Sequence, residues 1–347
     1  MEARKEILDF IVIGAQKAGT TSLFEYLRLH PEVSLPAGKE APYFSHDALY
    51  ELGWGAYMRK LALTHPERKW GTVTTHYMVG GVYQSSVENL AARVYDERTV
   101  PRRIHERLPE ARLIAILRDP VERALSHFRM RSMEGQEPRS WERAVDELLA
   151  PEMLERARRD PREETGYVAW GEYGRILSGY LDVFAREQLL VIFTEELERD
   201  PAGLLARVQE FIGVRSDFQP SNIGTRYRVG AAERRFAWIG PYSPLSPQGL
   251  QRRLTASPRA RRLWRRVPES MQRQVRHPYE RFAFRVALWN RRGEPAASPA
   301  PALETERESA QEELRGRLRE HYAADAELLI ARTGVRPPWL HAGEPAR

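Results

Sequence analysis

Residues 8–13 (LDFIVI) form an apolar run that passes directly into Gly14-Ala15-Gln16-Lys17-Ala18-Gly19 and then into Thr20-Thr21-Ser22. A short isoleucine-rich run bounded by a turn fits a strand covered on both faces, the kind found in parallel sheets. Beyond the turn, Leu23, Tyr26, Leu27 and His30 recur at i, i+3, i+4 and i+7, one face of a helix, and Pro31 stops it. A strand, a glycine turn and a helix in that order open an α/β sheet. No other feature restricts the fold as much.

The pattern recurs downstream. Arg112 to Leu117 (RLIAIL) predicts a second buried strand, followed by Arg118, Asp119, Pro120 and a helix to about Met133. Pro120 falls at the first helical position, where its missing N–H costs nothing. Leu189 to Phe193 (LLVIF) predicts a third strand after an amphipathic helix from about Gly171 to Arg186, and a shorter strand is expected at Trp70 to Thr74. Strands alternating with helices imply a P-loop-like open parallel sheet flanked by helices. The expected division is a core over 1–230, an arginine-rich, mostly helical insertion with its linker over 231–302, and a C-terminal helix within 303–340 that packs back on the core. Glu294 to Ala302 (EPAASPAPA) reads as the flexible linker, and the last helix is predicted from about Thr305 to Thr333.

The basic residues are lopsided: of 54, only Lys5, Lys17, Lys39, Lys60 and Lys69 are lysine. In a chain that defaults to arginine, a lysine inside a glycine-rich turn suits a site needing a compact point charge rather than a planar fork. Thirteen arginines against two glutamates lie between Gln251 and Arg292, so the rest of the chain is net acidic although the total is +6. That segment has three readings: a solvated helical subdomain, a border of the acceptor cleft that attracts anions, or a peripheral membrane contact through 251–292. No nucleic-acid reader motif accompanies the charge, so no nucleic-acid partner is expected. The chain has no cysteine, which excludes disulfides, thiolate metal sites and cysteine nucleophiles. Its first apolar run is too short for a signal-peptide core or a membrane span, and a cytoplasmic location is expected.

Two stretches carry anion chemistry. The Gly14 to Ser22 turn opens a helix, whose first N–H groups lack internal partners and whose dipole favours negative charge. Gly19 permits close approach, Thr20, Thr21 and Ser22 add hydroxyls, and Lys17 adds a mobile charge. This is not a Walker A loop, because the lysine falls two residues before the second glycine instead of directly after it. The second stretch is Arg118 to Phe128, where Arg118 leaves the carboxyl end of a strand and Ser126 follows two helical turns on. A guanidinium with a hydroxyl suits a terminal phosphate. Asp119 reads equally as a helix cap or as a ligand.

On these two motifs the chain resembles the PAPS-dependent sulfotransferases, especially the branch of heparan sulfate N- and 3-O-sulfotransferases and their bacterial relatives, with residues 8–228 matching in order. PAPS is 3′-phosphoadenosine 5′-phosphosulfate, and PAP is its product. The resemblance implies that Lys17, Ala18, Gly19, Thr20 and Thr21, with Ser22 beside them, grip the 5′-phosphosulfate, and that Arg118 and Ser126 grip the 3′-phosphate. It implies that Gly224, Thr225, Arg226 and Tyr227 stand where relatives close a loop over the nucleotide, although the usual lysine is missing there. It also implies that Glu40, just before Tyr43-Phe44, deprotonates the acceptor. His76 is a rival base by chemistry, since histidine titrates near neutrality. The expected activity is metal-independent sulfuryl transfer to a hydroxyl or amine of a glycan, glycolipid or secondary metabolite. A P-loop nucleotide or small-molecule kinase, and a non-catalytic module that holds PAP or another anion, remain as alternatives.

Overall fold

The computed structural model of the protein describes residues 6–82, 96–133, 135–227 and 301–340. The chain divides into two compact units, residues 1–228 with 307–347, and residues 229–306. The arginine-rich segment 231–292, with its expected helicity, and the linker up to residue 300 lie outside the described residues.

The sheet of the first unit has five strands, β1 (Phe10–Gly14), β2 (Val33–Ser34), β3 (Lys69–Val73), β4 (Arg112–Leu117) and β5 (Leu189–Phe193). Their order is β2-β3-β1-β4-β5, and every pairing is parallel. The helices before the middle of the chain are α1 (Thr20–Leu27), α2 (Asp47–Glu51), α3 (Trp54–Leu61), α4 (Thr99–Arg107) and α5 (Pro120–Met133). After them come α6 (Trp141–Leu149), α7 (Pro151–Arg159), α8 (Gly166–Ala169), α9 (Tyr173–Leu181), α10 (Thr194–Arg199), α11 (Pro201–Ile212) and α12 (Pro301–Thr333). The three apolar runs of the sequence are β1, β4 and β5. The strand β2 is too short to carry a pattern and went unread.

Side chains alternate across a strand, and the sheet uses both faces. Phe10, Val12, Ile114, Ile116 and Ile192 pack against Leu23 and Leu27 of α1 and Leu205 and Val208 of α11. Ile11, Ile13, Leu113, Leu117 and Val191 pack on the other face against Ile104 of α4 and Ile176, Leu177 and Tyr180 of α9. Full burial of one such aliphatic side chain is worth about 1.5–3 kcal/mol. Two covered faces therefore explain why these runs read as continuously apolar.

The strand order positions the site. From β1 the chain moves to the edge strand β2 and back to β3 on one side, while β4 and β5 add on the other. Connections thus diverge at β1 and β4, and ligands of open parallel sheets bind in the crevice outside such strand tips. The register of β1 on β4 shifts between Val12 and Gly14, and the Ala15 N–H still donates to the Ile116 carbonyl at 2.7 Å. The turn after β1 is thereby held at the tip of β4.

A further layer is α12, which buries Leu314, Leu318 and Tyr322 against Val121, Phe128 and Tyr167. Its Asp325 carboxylate accepts the Gly174 and Arg175 N–H groups at 2.8 Å each and so caps α9. Gly174 is required there because an added Cβ would lie 2.2 Å from the Asp325 carbonyl. The helix expected over 171–186 is the shorter α9, because its first N–H groups find acceptors on another helix and Asp182 ends it. The C-terminal helix starts at Pro301 rather than near Thr305, so the last two residues of the expected linker are helical. Among the described residues no helix is long and apolar enough to cross a membrane.

Candidate active site

The turn after β1 has two left-handed residues, Lys17 at φ 69° and Gly19 at φ 95°. Glycine adopts that region freely, whereas a lysine held there costs on the order of 1 kcal/mol or more, a strain typical of ligand clamps. Gly19 caps α1 without a side chain, leaving the first N–H groups of the helix for an anion. Ala18 is fully buried, and its carbonyl accepts the Thr194 hydroxyl at 2.7 Å. The same hydroxyl lies 3.0 Å from the Leu117 carbonyl, so Thr194 joins the turn to the end of β4. Thr20 and Ser22 are buried on the first turn of α1, and Thr21 is half-buried.

Arg118 meets that turn. Its Nη1 donates to the Lys17 carbonyl at 3.4 Å, and its Nη2 lies 3.8 Å from Glu122. Two motifs separated by 101 residues thus adjoin at the β1 and β4 tips. The Tyr173 hydroxyl donates to the Arg118 carbonyl at 3.0 Å and fixes the backbone there. Asp119 accepts the Val121 and Glu122 N–H groups at 2.8 and 3.3 Å, so it serves as the cap of α5. Ser126 is half-buried on the same helix.

The loop at Gly224 to Tyr227 lies along α1. The Tyr227 N–H donates to the Ser22 hydroxyl at 3.1 Å, and the Tyr26 hydroxyl donates to the Thr225 carbonyl at 2.9 Å. Gly224 turns the chain at φ 79°. Arg226 lies 3.3 Å from Glu198 on the surface. The loop therefore reaches the helix that opens from the donor turn, by backbone and hydroxyl contacts rather than by a lysine.

Glu40 lies between β2 and α2, against the residues that follow β3. Its carboxylate accepts the Thr75 N–H at 3.0 Å and the Thr75 hydroxyl at 3.3 Å, and it pairs with Lys39. The carboxylate is anchored and still 36% exposed. Ala41 donates its N–H to the Thr74 hydroxyl at 3.3 Å, which holds the segment down. His76 is the next residue along that short turn, its ring 5.6 Å from that of His46. Burial and the neighbouring His76 lower the His46 imidazole to about 4.

Glu163, before α8, belongs to this site and was not anticipated. Its carboxylate accepts from the Gln16 side-chain amide at 3.1 Å, lies 2.7 Å from His127 Nε2 and stands 3.8 Å from His76 Nε2. Burial pushes the carboxyl up, but the His127 and His76 imidazoles and the Gln16 amide outweigh it and hold it well below the usual carboxylate range. Burial lowers His127 to about 4 against the opposing pull of Glu163, so the ring is neutral near pH 7 with its proton on Nε2. No spacing signal marks this cluster, because its members are 36 to 147 residues apart.

A parallel sheet whose β1 turn opens a helix and meets an arginine at the neighbouring β4 tip defines an open α/β protein with a crevice at its strand tips. The chain belongs to the sulfotransferase domain family, whose sequence model matches residues 8–225. It is 30% identical over 215 residues to human heparan sulfate glucosamine 3-O-sulfotransferase 6, covering 61% of this chain and 54% of that protein. It is also 30% identical over 215 residues to human bifunctional heparan sulfate N-deacetylase/N-sulfotransferase 3, covering 59% of this chain and 22% of that one. The chain thus spans about half the length, or less, of these curated relatives. Among solved structures, a sulfotransferase from Alicyclobacillus acidocaldarius is similar at 29% identity and a TM-score of 0.50, over 63% of this chain and 85% of that one.

Proposed function

We propose that the protein transfers a sulfuryl group from PAPS to a hydroxyl or amine of a glycan, glycolipid or secondary metabolite. The observation that supports the proposal most is the meeting of Arg118 with the Lys17 carbonyl, which brings a guanidinium to the backbone of the turn that carries Lys17. Such a pair suits a nucleotide bearing phosphate at both ends. PAPS supplies the activated sulfuryl group. The α1 N–H groups and Lys17 take up negative charge that develops on the 5′-phosphate side, the preorganised stabilisation that contributes most to many enzymes. Arg118 with Ser126 takes the 3′-phosphate and fixes orientation. Glu40 accepts the proton of the attacking hydroxyl or amine from its anchored place against the residues that follow β3. The resemblance to heparan sulfate enzymes favours a glycan acceptor, and turnover is expected to persist in EDTA.

Calorimetric titration with PAP and, separately, with ATP and Mg2+ tests the assignment. Micromolar PAP binding without ATP binding is expected; ATP binding alone would make the chain a kinase-like protein. Glu40→Gln should keep PAP affinity and lose at least about 100-fold in turnover of labelled PAPS. Unchanged turnover would remove Glu40 from the role of base.

A further inference from the structure

We propose, building on the sulfuryl-transfer reading, that Glu163 is a positioning residue that locks the donor turn, the acceptor-side turn and the Ser126 helix into one site. Each of its three partners adjoins a residue of the proposed machinery. Gln16 precedes Lys17, His76 follows the Thr75 that holds Glu40, and His127 follows Ser126. One carboxylate therefore touches the neighbours of the cation, the base and the 3′-phosphate contact.

The choice of partners separates this cluster from an ordinary anchoring ion pair. The chain carries 54 basic residues, almost all arginine, yet Glu163 meets two imidazoles and an amide. An imidazole or amide side chain has fewer torsions than an arginine, so less rotamer freedom is lost in holding it. The His127 ring is fully buried and stacks on Trp170 at 5.1 Å, so its orientation is set from both sides. Two charged neighbours act on the same ring, Arg123 one turn earlier on α5 and Lys17 on the turn after β1. The 3.8 Å contact to His76 is too long for a hydrogen bond and becomes an ion pair only when that imidazole is protonated. His46 faces His76 from the opposite element.

Glu163→Gln keeps the shape and removes the charge. We expect its turnover to fall on the order of 100-fold, the scale of a reacting group displaced by about 1 Å, with a smaller loss of PAP affinity because the turn and the Ser126 helix also hold PAP. His76→Gln should also slow turnover, and the double variant should be no slower than Glu163→Gln alone, because both remove one pathway. A backbone amide spectrum gives a readout that does not depend on turnover. Shifts in Glu163→Gln at both 16–19 and 75–78 support coupling; shifts confined to the surroundings of His127 overturn it, whatever the donor proves to be. If Glu163→Gln does not fold, Gln16→Ala and His76→Gln carry the test through the same cycle. Independent, additive losses would then overturn the proposal. Failure of wild type to bind PAP would instead count against the sulfuryl-transfer reading, and the amide shifts would still decide the coupling.

Discussion

Glu163 and Glu172 flank α8, and both are carboxylates taken largely out of water, yet they are compensated in opposite ways. Glu172 is 3% exposed and meets Arg158 at 2.7 and 2.9 Å, Arg175 at 2.7 Å and His321 at 3.1 Å. Burial pushes its carboxyl up, but His321, Arg158 and Arg175 together bring it down to about 2. Glu163 is 22% exposed and relies on two imidazoles and an amide. Guanidinium does not lose its proton in proteins, so Glu172 keeps two permanent cations beside the His321 imidazole, whereas no partner of Glu163 carries a permanent charge. Permanent compensation suits the joint between α7 and α9, to which His321 of α12 adds a further contact. Titratable compensation suits a place where protons move.

The largest expected effect breaks the Glu172 cluster. Glu172→Ala leaves Arg158 and Arg175 without their shared carboxylate, and removing one partner of a buried pair costs 3–5 kcal/mol. The two arginines keep partial exposure, so a loss of about 3 kcal/mol in urea unfolding is expected, with PAP affinity of the folded protein unchanged. A loss below about 1 kcal/mol would erase the distinction between the two clusters.

Acidification sharpens the comparison. His127 has a folded value of about 4, below its ordinary 6.5, so between those values the unfolded chain binds the extra proton. Its contribution is complete above pH 6.5 and is lost as pH falls toward 4, a change of about 3 kcal/mol. The contribution of Glu172 is present above 4.5 and is lost only as pH falls toward 2. Amide exchange should therefore quicken around α5 near pH 5 while α9 and α12 remain protected. Simultaneous loosening of both regions at pH 5 would contradict the assignment.

The smallest effect concerns the cap beside Glu172. Asp325→Ala should cost about 1 kcal/mol, the usual value of a lost helix cap, and should speed exchange at the start of α9 without altering turnover. A larger cost would mean that Asp325 carries more of the α12 joint than its two hydrogen bonds suggest.

What could be read before the structure was what local chemistry writes into the chain. The runs at β1, β4 and β5 are apolar because both faces of the sheet are covered, and the donor turn announces itself by Gly14, Gly19 and a lysine in an arginine-biased chain. Arg118 was visible because it leaves an apolar run directly. Asp119 was ambiguous in sequence, and its two backbone hydrogen bonds resolve it as a cap. Glu163 could not be read, since Pro161-Arg162-Glu163-Glu164 resembles any solvated loop and its partners arrive from three other elements. Glu172 lies within the stretch expected to be helical from about Gly171, and its role could not be read there because Arg158, Arg175 and His321 give it meaning through tertiary contact.

The capping of α9 by Asp325 also bears on synthesis. The acceptor for the Gly174 N–H leaves the ribosome 151 residues after the donor, which at about 5–20 residues per second is a delay of roughly 8–30 s. Through that interval the start of α9 has water in place of its cap, and the apolar stripe it will share with Leu329 is uncovered. The nascent chain therefore presents a sticky, half-finished surface for seconds after its sheet has been made, and chaperone occupancy should be greatest in that window.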